Sequence, residues 1–384
     1  MGHDPDAVAA GRETLATRCR KTASASNRTD AVAVSRETLA TAQPMWRRFP
    51  CRTAAAVALM AARTMAAWLM GASLTAASLI AVAVDAEAQT APAIKVTFLG
   101  TGTPAPNPRQ FGPSILVEAG DTKLLFDCGR GCGHRLWNLG PQYLRETSHL
   151  FLTHMHSDHT VGVADLYMNG WNQGRQENLR VYGPAGAEVL MRHLRLAYEE
   201  DVVFRADRQG HAVTRESLDY IAMEVADGER LVIDDVTVTA IAVDHHVVEP
   251  AFGYRVDVGE YSVVISGDTA YSDNLIRHSM DTDVLVHEVM SPALEHFVRT
   301  TFSPEVADGI VALHTLAPDV GRVFTQARPR LGVLTHLDND PARIPELAAQ
   351  IESTWSGDFV VAEDLMAVEI GESIRVLAPG APSQ

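Results

Sequence analysis

Cysteine is scarce in this chain, with four among 384 residues. Cys19 and Cys51 fall near the N-terminus, which leaves Cys128 and Cys132 for the rest of the protein. The Cys-Gly-Arg-Gly-Cys loop between them offers too few donors nearby for a cysteine metal site. It reads as two half-buried thiols in a turn, with a disulfide as the alternative in an oxidising compartment. Basic charge is also in deficit. Lys and Arg number 32 against 48 Asp and Glu, a net charge of −16, and beyond residue 93 the balance is 22 against 41, near −19. A domain whose main ligand is a nucleic acid usually carries a basic footprint, because phosphate neutralisation supplies most of its affinity. Bulk electrostatics therefore disfavour nucleic acid, although a local patch or bound cations can still attract an anion.

What is present is the composition of an ordinary soluble globular protein, 46% hydrophobic and 21% charged. One α/β domain behind a long leader fits the length better than two average domains. Trp46-Arg47-Arg48 precedes an Ala, Leu, Val and Met-rich stretch from about Thr53 to Val84, closed by Asp85-Ala86-Glu87-Ala88-Gln89. A positive start, an apolar middle and an Ala-x-Ala end form a secretory signal. Residues 1–88 are thus expected to be a leader cleaved after Ala88, and residues 89–384 the mature domain, periplasmic or secreted, with no stable membrane association. The rival is an uncleaved anchor, since the apolar stretch is long enough to span a bilayer. Upstream, Arg-Glu-Thr-Leu-Ala-Thr occurs at Arg12 and again at Arg36 without apolar periodicity. That segment reads as disordered, or as preceding the true start.

From Ile94 onward, short β-rich runs alternate with amphipathic stretches. Strands are expected at Ile94 to Leu99, Ser114 to Glu118, Lys123 to Phe126, His149 to Thr153, Leu179 to Tyr182, Val236 to Val243, Phe252 to Val256, Ser262 to Ser266, Val284 to His287 and Leu331 to Thr335. Helices are expected at Thr160 to Asn172, Pro184 to Glu200, Pro318 to Gln326 and Pro341 to Ser353, three of them opening on proline. Strands dominate early in each half, which suggests stacked sheets faced by helices.

The chemistry concentrates in Thr153-His154-Met155-His156-Ser157-Asp158-His159, after an apolar strand and before a helix. Residues two apart in extended chain point to one side, so His154 and His156 can share a metal. Asp158 and His159 enter the next turn and can reach a second. Imidazoles with a few carboxylates suit Zn2+, with Mn2+ and Fe2+ as alternatives. Further donors stand where later strands open into loops: Asp244-His245-His246, Gly267-Asp268-Thr269 and Thr335-His336.

His-x-His-x-Asp-His followed by His, Asp and His at strand ends resembles the metallo-β-lactamase superfamily. Phe98-Leu99-Gly100-Thr101-Gly102-Thr103-Pro104, Leu125-Phe126-Asp127-Cys128-Gly129, Gly253-Tyr254-Arg255, Ser266-Gly267-Asp268-Thr269, His287-Glu288-Val289 and His314-Thr315 look like the branch holding tRNase Z and the zinc arylsulfatases. The resemblance spans about Ile94 to Leu377. It implies an αβ/βα four-layer sandwich with two divalent metals at one edge. His154, His156 and His245 would hold one, Asp158, His159 and His336 the other, and Asp268 would bridge them, with His246 as the alternative to His245. It also implies a metal-bridged hydroxide as nucleophile, oriented by Asp158, and makes a homodimer an expectation.

His314 is the candidate general acid, with Glu288 fixing its tautomer. The alternatives are helix punctuation by His314-Thr315, with Thr315 as cap, and solvated polar groups at His287 and Glu288. The expected substrates are phosphodiesters or sulfate esters, both of which build negative charge on oxygens. Gly174 to Gly210 reads as strand plus helix, whereas the resembled tRNase Z proteins carry a Gly and Pro-rich arm there. A small anionic ester is therefore favoured over tRNA 3′ processing. Carbonyl chemistry of the lactonase, thioesterase or β-lactamase kind is the other alternative. Tyr143, Trp171, Tyr198 and Phe204 are pocket candidates, though scattered aromatics are more often core.

Overall fold

The computed structural model describes residues 92–208 and 213–380. The leader, its cleavage point and the apolar stretch lie outside the described residues. Fifteen strands are seen in the described part: β1 (Ile94–Gly100), β2 (Ser114–Ala119), β3 (Thr122–Phe126), β4 (His149–Phe151), β5 (Leu179–Gly183), β6 (Tyr220–Glu224), β7 (Arg230–Ile233), β8 (Val236–Ala242), β9 (Phe252–Val258), β10 (Tyr261–Ile265), β11 (Val284–Glu288), β12 (Leu331–Thr335), β13 (Phe359–Val361), β14 (Ala367–Ile370) and β15 (Ile374–Leu377). They form an eight-stranded sheet, β15-β14-β1-β2-β3-β4-β5-β6, and a seven-stranded sheet, β13-β12-β11-β10-β9-β8-β7. Both are mixed: β3 to β6 pair in parallel, as do β10 to β13, and the remaining pairs are antiparallel.

Alternation within the strands decides the layers. In β1, Val96 and Phe98 face Val238, Tyr254 and Val286 of the second sheet in one core. On the opposite face of the first sheet, Leu116, Leu125 and Leu150 pack against Leu136, Leu166 and Trp171 from helices Cys132–Leu139 and Val163–Asn172. Outside the second sheet, Val264, Leu285 and Leu334 meet Val320, Val323 and Phe324 of helix Ala317–Ala327 and Leu347 of helix Ile344–Glu352. Helix, sheet, sheet, helix is the expected four-layer sandwich.

Under the edge where the parallel strands end, Phe126, Phe151 and Tyr182 stack in turn and Tyr254 meets the two phenylalanines tilted or edge-on, with centroid separations of 4.5–5.5 Å. Each such pair contributes about 0.5–1.5 kcal/mol beyond its area burial. The Tyr254 hydroxyl also donates to the Leu152 carbonyl at 2.7 Å, tying β9 to the chain leaving β4. The rim above is therefore built on a stiff floor.

All ten expected strands are present, within two residues at either end. Strands β6, β7, β13, β14 and β15 were not anticipated, nor were helices Cys132–Leu139, Pro141–Glu146, Asp273–His278, Pro292–Thr301 and Pro304–Ala312. Two proline expectations are corrected. Pro184 and Pro341 lie ahead of helices Ala187–Ala197 and Ile344–Glu352, and in the second it is Pro345 that occupies the first turn. The expected helix from Thr160 is two pieces, Ser157–Thr160 and Val163–Asn172.

Candidate metal centre

Loops at the carboxyl ends of the parallel strands are where α/β sheets present ligand-binding groups, and the donors converge there. The chain leaving β4 carries His154 and His156, and the short helix Ser157–Thr160 carries Asp158 and His159. His245 follows β8, Asp268 follows β10, Glu288 ends β11 and His336 follows β12. Donor atoms of His154, His156, His245 and Asp268 lie within 4.8 Å of one another, and so do those of Asp158, His159 and His336.

Within the first group, His154 Nε2 is 3.0 Å from His156 Nδ1, and His245 Nε2 is 3.4 Å from the same atom. Two imidazoles on one tetrahedral zinc stand about 3.3 Å apart at the nitrogens. In the second group, Asp158 Oδ2 is 3.6 Å from His159 Nε2 and 3.3 Å from His336 Nε2. Asp268 Oδ2 lies between the groups, 3.8 Å from His154 Nε2, 3.2 Å from His159 Nε2 and 3.5 Å from His336 Nε2.

The outward nitrogens set the tautomers. His245 Nδ1 donates to the Leu313 carbonyl at 2.8 Å, and His159 Nδ1 to Asp127 Oδ2 at 2.7 Å. The Thr153 hydroxyl gives its one proton to Asp127 Oδ2 at 2.8 Å, so at 2.9 Å from His154 Nδ1 it accepts. Each of these rings thus directs its Nε2 inward, the arrangement that outer partners impose on metal-binding histidines. The inward Nε2 of His159 is buried without a hydrogen-bond partner. Those are the properties a divalent cation requires of its ligands.

Charge points the same way. Burial holds His154 well below the ordinary imidazole range, reinforced by the His159 ring, and burial likewise lowers His156 and His245. Burial opposes charge on His159, but Asp268 and Asp127 outweigh it and keep the ring well above the usual value. Burial also opposes charge on Asp268, yet His336 and His159 hold its carboxyl well below the usual range. His154, His156 and His245 are thus neutral donors beside an ionised, buried Asp268, and a cation at this spot offsets the cost of burying that charge.

His245 rather than His246 joins the cluster. His245 is fully buried. His246 has φ 54° and is exposed, with its backbone N–H donating to Asp244 Oδ1 at 2.9 Å. Replacing His245 by Ala is expected to lower the metal content of the purified protein, measured by elemental analysis, whereas His246→Ala leaves it unchanged.

His314 sits beside the cluster, on the turn after a two-helix hairpin, Pro292–Thr301 and Pro304–Ala312, that has its own small core of Val298, Ala307 and Val311. Its Nδ1 is 3.2 Å from Glu288 Oε1, which also accepts from the Thr315 N–H at 3.0 Å. Burial works against a charged His314, but Glu288 and then Asp268 outweigh it, and the ring is pushed up to about 9. Thr315 is not a helix cap: its hydroxyl donates to the Thr269 carbonyl at 2.7 Å, and Leu316 takes the cap position. Nor are His287 and Glu288 solvated, being 0% and 1% exposed.

Asp127, not expected as a site residue, organises His159 and Thr153 together. The signal was there, an acid directly after the apolar strand β3. Cys128 and Cys132 are joined as a disulfide and are fully buried rather than half-buried. Of the four aromatic candidates, Trp171 is core, the Tyr143 hydroxyl donates to Glu118 at 3.0 Å, and Tyr198 and Phe204 are exposed.

Comparison with known proteins now adds to this geometry. Ribonuclease Z of Mycobacterium sp. (strain KMS) is 30% identical over 297 residues, covering 75% of this chain and 100% of that protein. Ribonuclease Z of Mycobacterium bovis (strain BCG / Pasteur 1173P2) is 29% identical over 282 residues, covering 72% and 98%. Among solved structures, the metallo-β-lactamase fold protein YhfI from Bacillus subtilis superposes with a TM-score of 0.54 at 22% identity, covering 71% of this chain and 98% of that one. Short-form human tRNase Z gives 0.52 at 20%, covering 72% and 99%. At such identities the structural likeness establishes the fold.

Fold, donor set and relatives define the class: a metal-binding hydrolase acting on ester bonds. Residues 94–303 match the family described as Anti-Pycsar protein Apyc1. The chain belongs to that family and to the tRNase Z-like branch of the metallo-β-lactamase superfamily.

Proposed function

We propose that this protein is an exported phosphodiesterase using two divalent ions, Zn2+ foremost, with Mn2+ and Fe2+ as alternatives. His154, His156 and His245 would hold one ion, Asp158, His159 and His336 the other, and Asp268 would serve both. The observation that carries the reading is Asp268 Oδ2, within 3.2–3.8 Å of ring nitrogens from both groups. When bound, such a pair of cations lowers the pKa of water and neutralises charge building on substrate oxygens.

The remaining steps fall to the chain. Asp158, whose Oδ2 faces both His159 and His336, orients the attacking water and takes its proton. His314, held protonated by Glu288, donates a proton to the departing oxygen. Glu288 anchors Nδ1 of that ring and so presents its other face to the substrate. Burial of the cluster strengthens each of these interactions by excluding water.

For the substrate, the relatives named Ribonuclease Z favour a phosphodiester over a sulfate ester. The charge near −19 beyond residue 93 favours a small anionic diester over tRNA. RNA cleavage is the second reading, supported by relatives matched over their whole length. A panel of bis(p-nitrophenyl) phosphate, p-nitrophenyl sulfate, a lactone, nitrocefin and a tRNA precursor separates these. Turnover is expected on the phosphodiester, and activity confined to the sulfate, the lactone or nitrocefin would sink the proposal. Export rests on the leader and on the Cys128–Cys132 disulfide, a bond that persists in oxidising compartments.

A further inference from the structure

The Cys128–Cys132 disulfide crosslinks the loop on which one half of the metal centre rests. Asp127, immediately before it, fixes His159 Nδ1 and the Thr153 backbone N–H, the latter at 2.8 Å. The Cys128 N–H donates to the His159 carbonyl at 2.8 Å, and the Cys128 carbonyl accepts from the Gly162 N–H at 2.9 Å. The chain from His159 to Gly162, directly after Asp158, is thereby bonded at both ends to one cysteine. Gly129, inside the crosslinked loop, lies so close to the Asp158 carbonyl that a Cβ there would collide with it. Gly112 closes on the same carbonyl, with 3.0 Å left for a Cβ. Cys132 Sγ in turn faces the Gly162 carbonyl at 4.0 Å.

From this juxtaposition we infer that the Cys128–Cys132 disulfide is a positioning crosslink for the Asp158, His159 and His336 subsite, so that occupancy of this subsite depends on oxidation. The inference rests on the two-ion reading above. Reduction breaks the Sγ–Sγ bond, and each sulfur gains one electron and one proton. A dithiol reductant supplies both pairs and leaves as its own cyclic disulfide. Bonded sulfurs sit about 2.05 Å apart, whereas non-bonded ones need roughly 3.5–4 Å. Cys128 and Cys132 are 0% and 1% exposed, so the sulfurs cannot part into solvent. They part into packed neighbours, and the Gly162 end of the ligand turn is one of them. No backbone hydrogen bond among those found in the described residues joins His154, His156 or His245 to residues 128–132, and Asp127 reaches His154 only through Thr153, so that triad is disturbed less. Disturbing groups that orient a metal ligand weakens binding about 10–100-fold.

The test compares the purified protein in three forms: oxidised, reduced by dithiothreitol in mild denaturant and returned to buffer, and reduced then reoxidised. Zn2+ per chain is counted by elemental analysis, its affinity is read by competition with a chelating dye, and thermal unfolding is followed in parallel. We expect two ions in the oxidised form, one tight and one weakened about 10–100-fold in the reduced form, and two again after reoxidation. The Cys132→Ser and Cys128→Ala/Cys132→Ala proteins should match the reduced form, and the wild-type cycle stands alone if either fails to fold. Two ions of unchanged affinity after reduction would overturn the inference while leaving the two-ion reading intact. So would equal weakening of both ions along with a lowered melting temperature, which marks a merely structural bond. An oxidised protein that binds no Zn2+ overturns the two-ion reading and this inference together.

Discussion

Asp268→Ala protein is expected to fold, to lose metal and to lose at least about a thousandfold in turnover of bis(p-nitrophenyl) phosphate. Asp268 is the carboxylate nearest both groups of imidazoles and is only 3% exposed. Removing it takes the one carboxylate placed between both groups of rings, and with it the charge that would draw a cation there. Asp268→Asn retains the shape and loses the charge, so the two variants should fall together if charge is what matters. Dialysis of the wild-type protein against a chelator should reproduce the loss, and added Zn2+ should reverse it. Circular dichroism establishes that each variant is folded. An Asp268→Ala protein with full metal content and ordinary turnover would refute the proposed centre.

The second large effect is at His314. Its replacement by Ala should leave the ion count unchanged and lower kcat at least about a hundredfold, the range of general acid catalysis. The loss should be smaller for substrates whose leaving group is already a good one, because such a group departs without a proton. Comparing p-nitrophenyl with alkyl leaving groups reads this directly. Glu288→Gln keeps an acceptor for the ring but removes the charge that holds His314 protonated, so it should fall between wild type and His314→Ala. A uniform loss across all leaving groups would remove His314 from proton transfer and leave it a positioning role.

Much of this centre was legible before folding because its chemistry is dense. Four donors within the six residues from His154 to His159 satisfy no rule of packing or capping, and the later donors each sit where an apolar run ends. The main strands were equally readable, since β-branched runs bounded by turn residues carry their own signal. What escaped notice had weaker or contradictory patterns. Strand β14 is buried along its whole length, yet it contains Glu369, neutralised by Arg375 on the neighbouring strand, so its apolar period is broken. Strand β6 is largely exposed and short. Helix Cys132–Leu139 starts at Gly131 in a left-handed conformation with no side-chain cap. By contrast, Ser291-Pro292 and Ser303-Pro304 each carry a local helix-start signal, serine at the cap and proline in the first turn.

The amino-acid order by itself determined which donors this protein owns and at which strand ends they stand, because donor type and apolar spacing are local properties of the chain. Only the tertiary structure decided which of them meet. It turned His245 inward and His246 outward through one left-handed residue, set Asp268 against His154 and His159, both more than a hundred residues earlier in sequence, and laid a disulfide loop beneath Asp158 and His159. Those outcomes depend on distances across two packed sheets, and such distances are fixed by the joint packing of side chains that no local stretch of sequence contains.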